Sequence, residues 1–137
     1  MKKYLIGLTC ALCLTMVPLP SAQAADSPVM FVTSAKGDLK DLNKDLNDLL
    51  DAIAKGSTFR LITNSAELSF NIGQLESLDP PASVATSWKQ QFGALQKAIT
   101  AVQKAISDDS SMSTLKSRIN AAKKQILVVN GVVAKVK

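Results

Sequence analysis

Apolar residues return at alternating steps of three and four in four separate stretches of the chain. In the first, Val32, Ala35, Leu39, Leu42, Leu46, Leu49 and Ile53 keep that rhythm without a slip. The second is weaker: Leu61, Ser65, Leu68, Ile72 and Leu75 form a stripe that admits a serine, with Ile62 and Ala66 beside it. Val84, Trp88, Phe92, Leu95, Ile99, Val102 and Ile106 make the third. Met112, Leu115, Ile119, Ala122, Ile126, Val129, Val133 and Val136 make the fourth. Steps of this kind place side chains on one face of a helix with 3.6 residues per turn. Four such faces are buried most economically against one another around a shared axis.

The punctuation between the stripes agrees. Asp26-Ser27-Pro28 offers a capping side chain before a proline at a first helical position. Lys55-Gly56-Ser57 ends one helix on glycine and supplies serine as the next cap. Asp79-Pro80-Pro81 cannot continue a helix but can begin one. Asp108-Asp109-Ser110-Ser111 breaks the last two stripes apart with several candidate caps. The connections are short, so successive helices are predicted to be antiparallel neighbours in an all-α, up-down-up-down four-helix bundle.

Two stretches resist this pattern. Gly37 inside the first helix costs about 1 kcal/mol relative to alanine, which allows a helix start near Asp38 instead. Asn130-Gly131 sits between β-branched runs in Ile126–Val133, a hairpin signal. A lone hairpin would have no sheet to join, and the apolar stripe continues through Val133 and Val136, so the helix is the preferred prediction.

The chain has 137 residues, of which 47% are apolar and 4% aromatic. Its start reads as an export signal: Met1-Lys2-Lys3 is basic, Tyr4 to Val17 is apolar, and Ala22-Gln23-Ala24 is a small-residue cleavage site. The expected division is a cleaved signal peptide over residues 1–24 and a single four-helix domain over 25–137, released to the periplasm or secreted. The apolar run is shorter than the roughly 20 residues a membrane span needs, and no later stretch is apolar enough to span, so no transmembrane segment is expected. Both cysteines, Cys10 and Cys13, fall within the signal. The exported portion therefore has no disulfide and depends on packing alone.

Candidate chemistry narrows sharply because the chain contains no histidine. Nucleophile pairs that use imidazole as base are excluded, as are imidazole metal sites and axial histidine ligation of haem. Met30 alone could offer a thioether, which does not make a haem site. Ser113 and Lys116 match the Ser-x-x-Lys spacing of acyl enzymes, but the companion motifs are missing and Ser113 suits a helix cap better. Asp38, Asp41, Asp45, Asp48 and Asp51 form a carboxylate ladder interleaved with Lys40 and Lys44, which reads as a charged flank of a helix seam rather than a cation site. No glycine-rich phosphate loop is present. The expectation is a protein that is not an enzyme and takes no cofactor and no metal.

Charge is polarised along the sequence. Asp26 to Asp79 holds nine acids and five bases, net −4, whereas Pro80 to Lys137 holds two acids and nine bases, net +7. One reading is internal, with the aspartates of the first helix facing Lys116, Lys123 and Lys124 of the fourth. The other is external: the third and fourth helices offer a basic face, with Lys116, Arg118, Lys123 and Lys124 as candidate partner-binding residues. The partner would be an envelope protein or an anionic envelope component. Nucleic acid is not expected, since the basic positions lack interleaved aromatics. Trp88 and Phe92 are assigned to the core, and Phe59 to a lid or staple at one end of the bundle. The functional expectation is a small exported binding or interaction protein, with self-association left open. The alternatives are a carrier or sensor of a small apolar ligand between the helices, and a periplasmic immunity or inhibitor protein.

Overall fold

The structure, a computed structural model, describes residues 27–137. The export signal expected over residues 1–24, with Cys10 and Cys13, lies outside the described residues. Four helices follow: α1 (Pro28–Ala54), α2 (Thr58–Glu76), α3 (Ala85–Ser107) and α4 (Met112–Val133). Among the described residues there is no strand, and none of the helices is long and apolar enough to cross a membrane.

The first helix starts where its cap dictates. Ser27 Oγ accepts the backbone N–H of Met30 at 3.3 Å, and Pro28 opens the first turn. A start near Asp38 is not found. Phe31 and Ala35 are fully buried upstream of Gly37, and the area they remove from water outweighs the cost of one helical glycine. At the other end Gly56 takes φ +64°, a left-handed position that closes the helix. Ser57 then caps α2 by accepting the N–H of Arg60.

Two caps differ from the sequence expectation. The Pro80-Pro81 pair does not begin α3; Val84 N–H donates to the Pro81 carbonyl at 2.9 Å, closing a turn, and the helix opens at Ala85 with no side-chain cap. Ser113 is not the cap of α4. Ser111 holds that place, its Oγ accepting Thr114 N–H at 3.2 Å, while Ser113 and Lys116 are exposed. The hairpin alternative at Asn130-Gly131 is also absent: α4 runs through it, because Val129, Val132 and Val133 are all buried against the core.

Backbones meet between α1 and α2, α3 and α4, and α1 and α4, with a thinner contact between α2 and α3. The two diagonal pairs do not approach at backbone level. Across α1 and α2, Arg60 pairs with Asp51 and Asn71 with Asp45, so a later position on one helix meets an earlier position on the other. Inside, the four stripes form one apolar cluster. Side chains bridge one diagonal: Phe31 meets Trp88 edge-on with ring centroids 4.9 Å apart, and Trp88 stacks on Phe92 at 5.5 Å. Trp88 and Phe92 are thus core residues, as expected. Phe59 is no lid or staple, since it stands 78% exposed.

Candidate functional site

Each seam of the bundle is crossed by side-chain polar links. Asn71 of α2 donates to Asp45 of α1. Gln103 of α3 donates to Ser69 Oγ and the Ser65 carbonyl of α2. Gln125 of α4 donates to the Gln91 side chain and carbonyl of α3, both at 3.1 Å. Lys123 of α4 donates to Asn47 Oδ1 of α1 at 2.6 Å. Polar groups at seams cost little when paired and fix which positions lie opposite.

The expected ion pairing of α1 aspartates with Lys116, Lys123 and Lys124 does not form. The carboxylate ladder follows the helical repeat, so it occupies one flank of α1, and that flank faces α2. Asp51 pairs with Lys55 at 2.7 Å and Arg60 at 3.3 Å, and Asp48 with Lys44 at 2.9 Å. The flank that meets α4 carries Asn43 and Asn47 instead. Among the described residues, Lys116, Arg118, Lys123 and Lys124 form no ion pair.

The four candidate residues divide between two surfaces. Lys116, Asn120, Lys123 and Leu127 recur at steps of four, three and four, a ridge on the α1 side of α4. Lys123 and Lys124 line a groove with Asn43, Asn120 and Leu127. Leu127, largely exposed, gives this basic ridge an apolar centre. Arg118 sits on the opposite flank, in the α3–α4 groove near Lys104 and Asp108, where Lys104 and Asp108 are bridged at 2.8 Å.

Between α1 and α2 lies a groove of about 640 Å³ lined by Asp41, Lys44, Asp45, Thr63, Ala66, Glu67, Phe70 and Asn71. Asp45 is only 5% exposed. Burial pushes its carboxyl above the usual aspartate range, with Glu67 and Asp48 pushing the same way; the Asn71 hydrogen bond and Lys44 oppose the rise. Asp38 is raised by burial and by Asp41. The lining mixes four charged side chains with Thr63, Ala66, Phe70 and Asn71 in an open groove, whereas a carrier of apolar ligands needs an enclosed apolar chamber. Among the described residues no cluster of three or more carboxylates forms a cation site. Met30, the lone thioether considered for haem, is exposed on the first turn of α1.

A second apolar row on α2 lies directly opposite its buried Leu61, Leu68 and Leu75. It comprises Phe59, Ile62, Ala66 and Phe70, with the three large side chains 78, 62 and 67% exposed. The sequence shows Ile62 and Ala66 beside the inward stripe, and Phe59 and Phe70 continue their row by the same steps. That spacing was a readable signal of a second face. No protein-family model, curated protein or solved structure matches this chain.

Proposed function

We propose that the protein is exported by its N-terminal signal and acts in the cell envelope as a non-enzymatic interaction protein. Its basic α3–α4 layer engages an acidic partner through Lys116, Lys123 and Lys124. The observation that carries this reading is the way charge segregates in space. Because α1 packs on α2 and α3 on α4, the acidic and basic halves of the sequence become two layers of one molecule. The α4 lysines are left with no carboxylate, so their field points outward to a partner. The lack of histidine and the absence of a cysteine after residue 13 support a role without covalent chemistry.

The reading is tested by capture from native envelope extract with the wild-type protein and a Lys116→Glu/Lys123→Glu/Lys124→Glu variant. A partner held by wild type should bind the variant about tenfold or more weakly, and should be released from wild type as salt rises. Circular dichroism of the variant should match wild type, because Lys116 and Lys124 are exposed and the Lys123–Asn47 bond lies at the exposed edge of the α1–α4 seam. Capture that is unchanged by the triple reversal would remove the basic ridge from the function.

A further inference from the structure

We propose that the outer face of α2 is a self-association surface, on which two copies of the chain pair α2 against α2, antiparallel, about a two-fold axis through Ala66. This inference is independent of the basic ridge on α4, which lies in the other layer.

The face reads the same in both directions. Phe59, Ile62, Ala66, Phe70 and Gly73 follow one another at steps of three, four, four and three. A second α2 running the opposite way therefore sets Phe59 against Gly73, Ile62 against Phe70 and Ala66 against itself. Such isologous contacts need a surface complementary to itself, and here the sizes also match. The most exposed of the large side chains meets a position with no side chain, and the small residue at the axis lets the two backbones approach to the 8–10 Å typical of packed helices.

Gly73 fits this pairing in size. It lies in the last turns of α2, where glycine is a poorer helix former than alanine. A Cβ built there would meet nothing within 4 Å, and its backbone takes no positive φ. The same space lies open at Gly37, Gly93 and Gly131; what sets Gly73 apart is its place in the row, where the pairing seats a partner's Phe59 ring on it.

Charge selects a copy of this chain over a membrane. The N-terminal end of α2 carries Lys55 and Arg60 around Asp51, a net positive cluster, and the C-terminal end carries Glu76. Antiparallel pairing brings Glu76 level with the partner's Gly56, beside the partner's Lys55, and sets the two helix dipoles head to tail. At mid-stripe, Glu67 shares its groove with Lys44, which offsets like-charge repulsion across the axis. An anionic lipid surface would instead meet a layer that holds seven acids against five bases over residues 28–76, net −2.

The test is sedimentation equilibrium on protein purified from expression of the full chain, over about 1 to 500 µM, since a contact built on one helix per copy falls at the small end of specific interfaces. The mass should rise from monomer to dimer, and Ala66→Arg and Phe70→Asp should each abolish the rise while retaining wild-type helicity. A monomer across the whole range overturns the proposal, whether the face is then covered by the chain's own N-terminal stretch or by lipid. So does a dimer that persists in both variants. Register is read by cysteine pairing: a mixture of Phe59→Cys and Gly73→Cys proteins should oxidise to the mixed dimer, with the parent chain as blank. Phe59→Cys linking to itself as fast as to Gly73→Cys overturns the antiparallel arrangement.

Discussion

The side-chain nitrogen of Gln103 on α3 lies 2.6 Å from the Ser69 hydroxyl of α2, and it also reaches the Ser65 carbonyl at 3.2 Å. This forked donor spans the seam where two neighbouring helices touch least. The pairing matters because α2 buries only Leu61, Leu68 and Leu75, fewer residues than any other helix. A helix held by few apolar contacts opens before its neighbours.

Amide exchange in α2 should therefore be faster than in α1, α3 or α4. Gln103→Ala should widen that gap and lower global stability by about 1 kcal/mol, the net contribution of one hydrogen bond to a partly exposed site. Hydrogen exchange read by mass spectrometry, on dilute protein, checks both. Equal protection of all four helices, or a loss spread evenly over them in the variant, would show that Gln103 does not hold α2 in place.

The four helices were legible because their apolar steps report burial directly: all fourteen positions read in the first and third stripes are buried or half-buried, and so is all of the fourth after Met112. Phe31 was missed since it falls one residue before the regular stripe; it sits four residues before Ala35 on the same buried face and meets Trp88 edge-on. The direction of the aspartate ladder was not legible. Periodicity says that Asp45 and Asp48 share a flank, but which neighbour that flank faces depends on how α1 is rotated in the bundle. The separation of Arg118 from Lys123 and Lys124, by contrast, was readable, since steps of five and six residues on one helix place side chains about 120–140° apart. The outer row of α2 was written in the spacing of Ile62, Ala66 and Phe70, yet a single apolar stripe per helix was the economical reading, and a second one has no use inside a bundle.

Glycine positions give opposite predictions according to backbone conformation. Gly131 lies within α4, exposed, with nothing within 4 Å of a built Cβ and no positive φ. Gly131→Ala should stabilise the protein by about 0.5–1 kcal/mol, through reduced freedom of the unfolded chain and better helix propensity. Gly56→Ala should destabilise it by about 1–2 kcal/mol, because φ +64° brings a Cβ against the following carbonyl. Urea denaturation of the two variants measures both. A destabilised Gly131→Ala protein would mean that the Asn130-Gly131 step is not helical.

Asp45 makes stability depend on pH in an unusual direction for a carboxylate. Its folded pKa is raised above the model-peptide value of 3.8, chiefly by burial between α1 and α2, with Glu67 and Asp48 adding repulsion and Asn71 and Lys44 offsetting part of it. The folded state thus takes up the proton at a higher pH than the unfolded chain does. Where the folded state binds more protons, stability falls as pH rises, so Asp45 works against folding above its raised pKa and ceases to do so below 3.8. Asp45→Asn keeps a carbonyl for the Asn71 amide and removes the buried charge, and it should melt at a higher temperature than wild type at pH 7. That advantage should shrink as pH falls through the raised pKa and vanish below pH 3.8. Asp45→Ala instead leaves the Asn71 amide without its acceptor at a half-buried seam, and should be destabilised by about 1–3 kcal/mol below pH 3.8, a loss that removal of the buried charge offsets in part at pH 7. Thermal melts of the three proteins at pH 7 and at pH 3.5 separate the two effects. An Asp45→Asn protein less stable than wild type at pH 7 would show that the charge itself, through Lys44, holds α1 to α2.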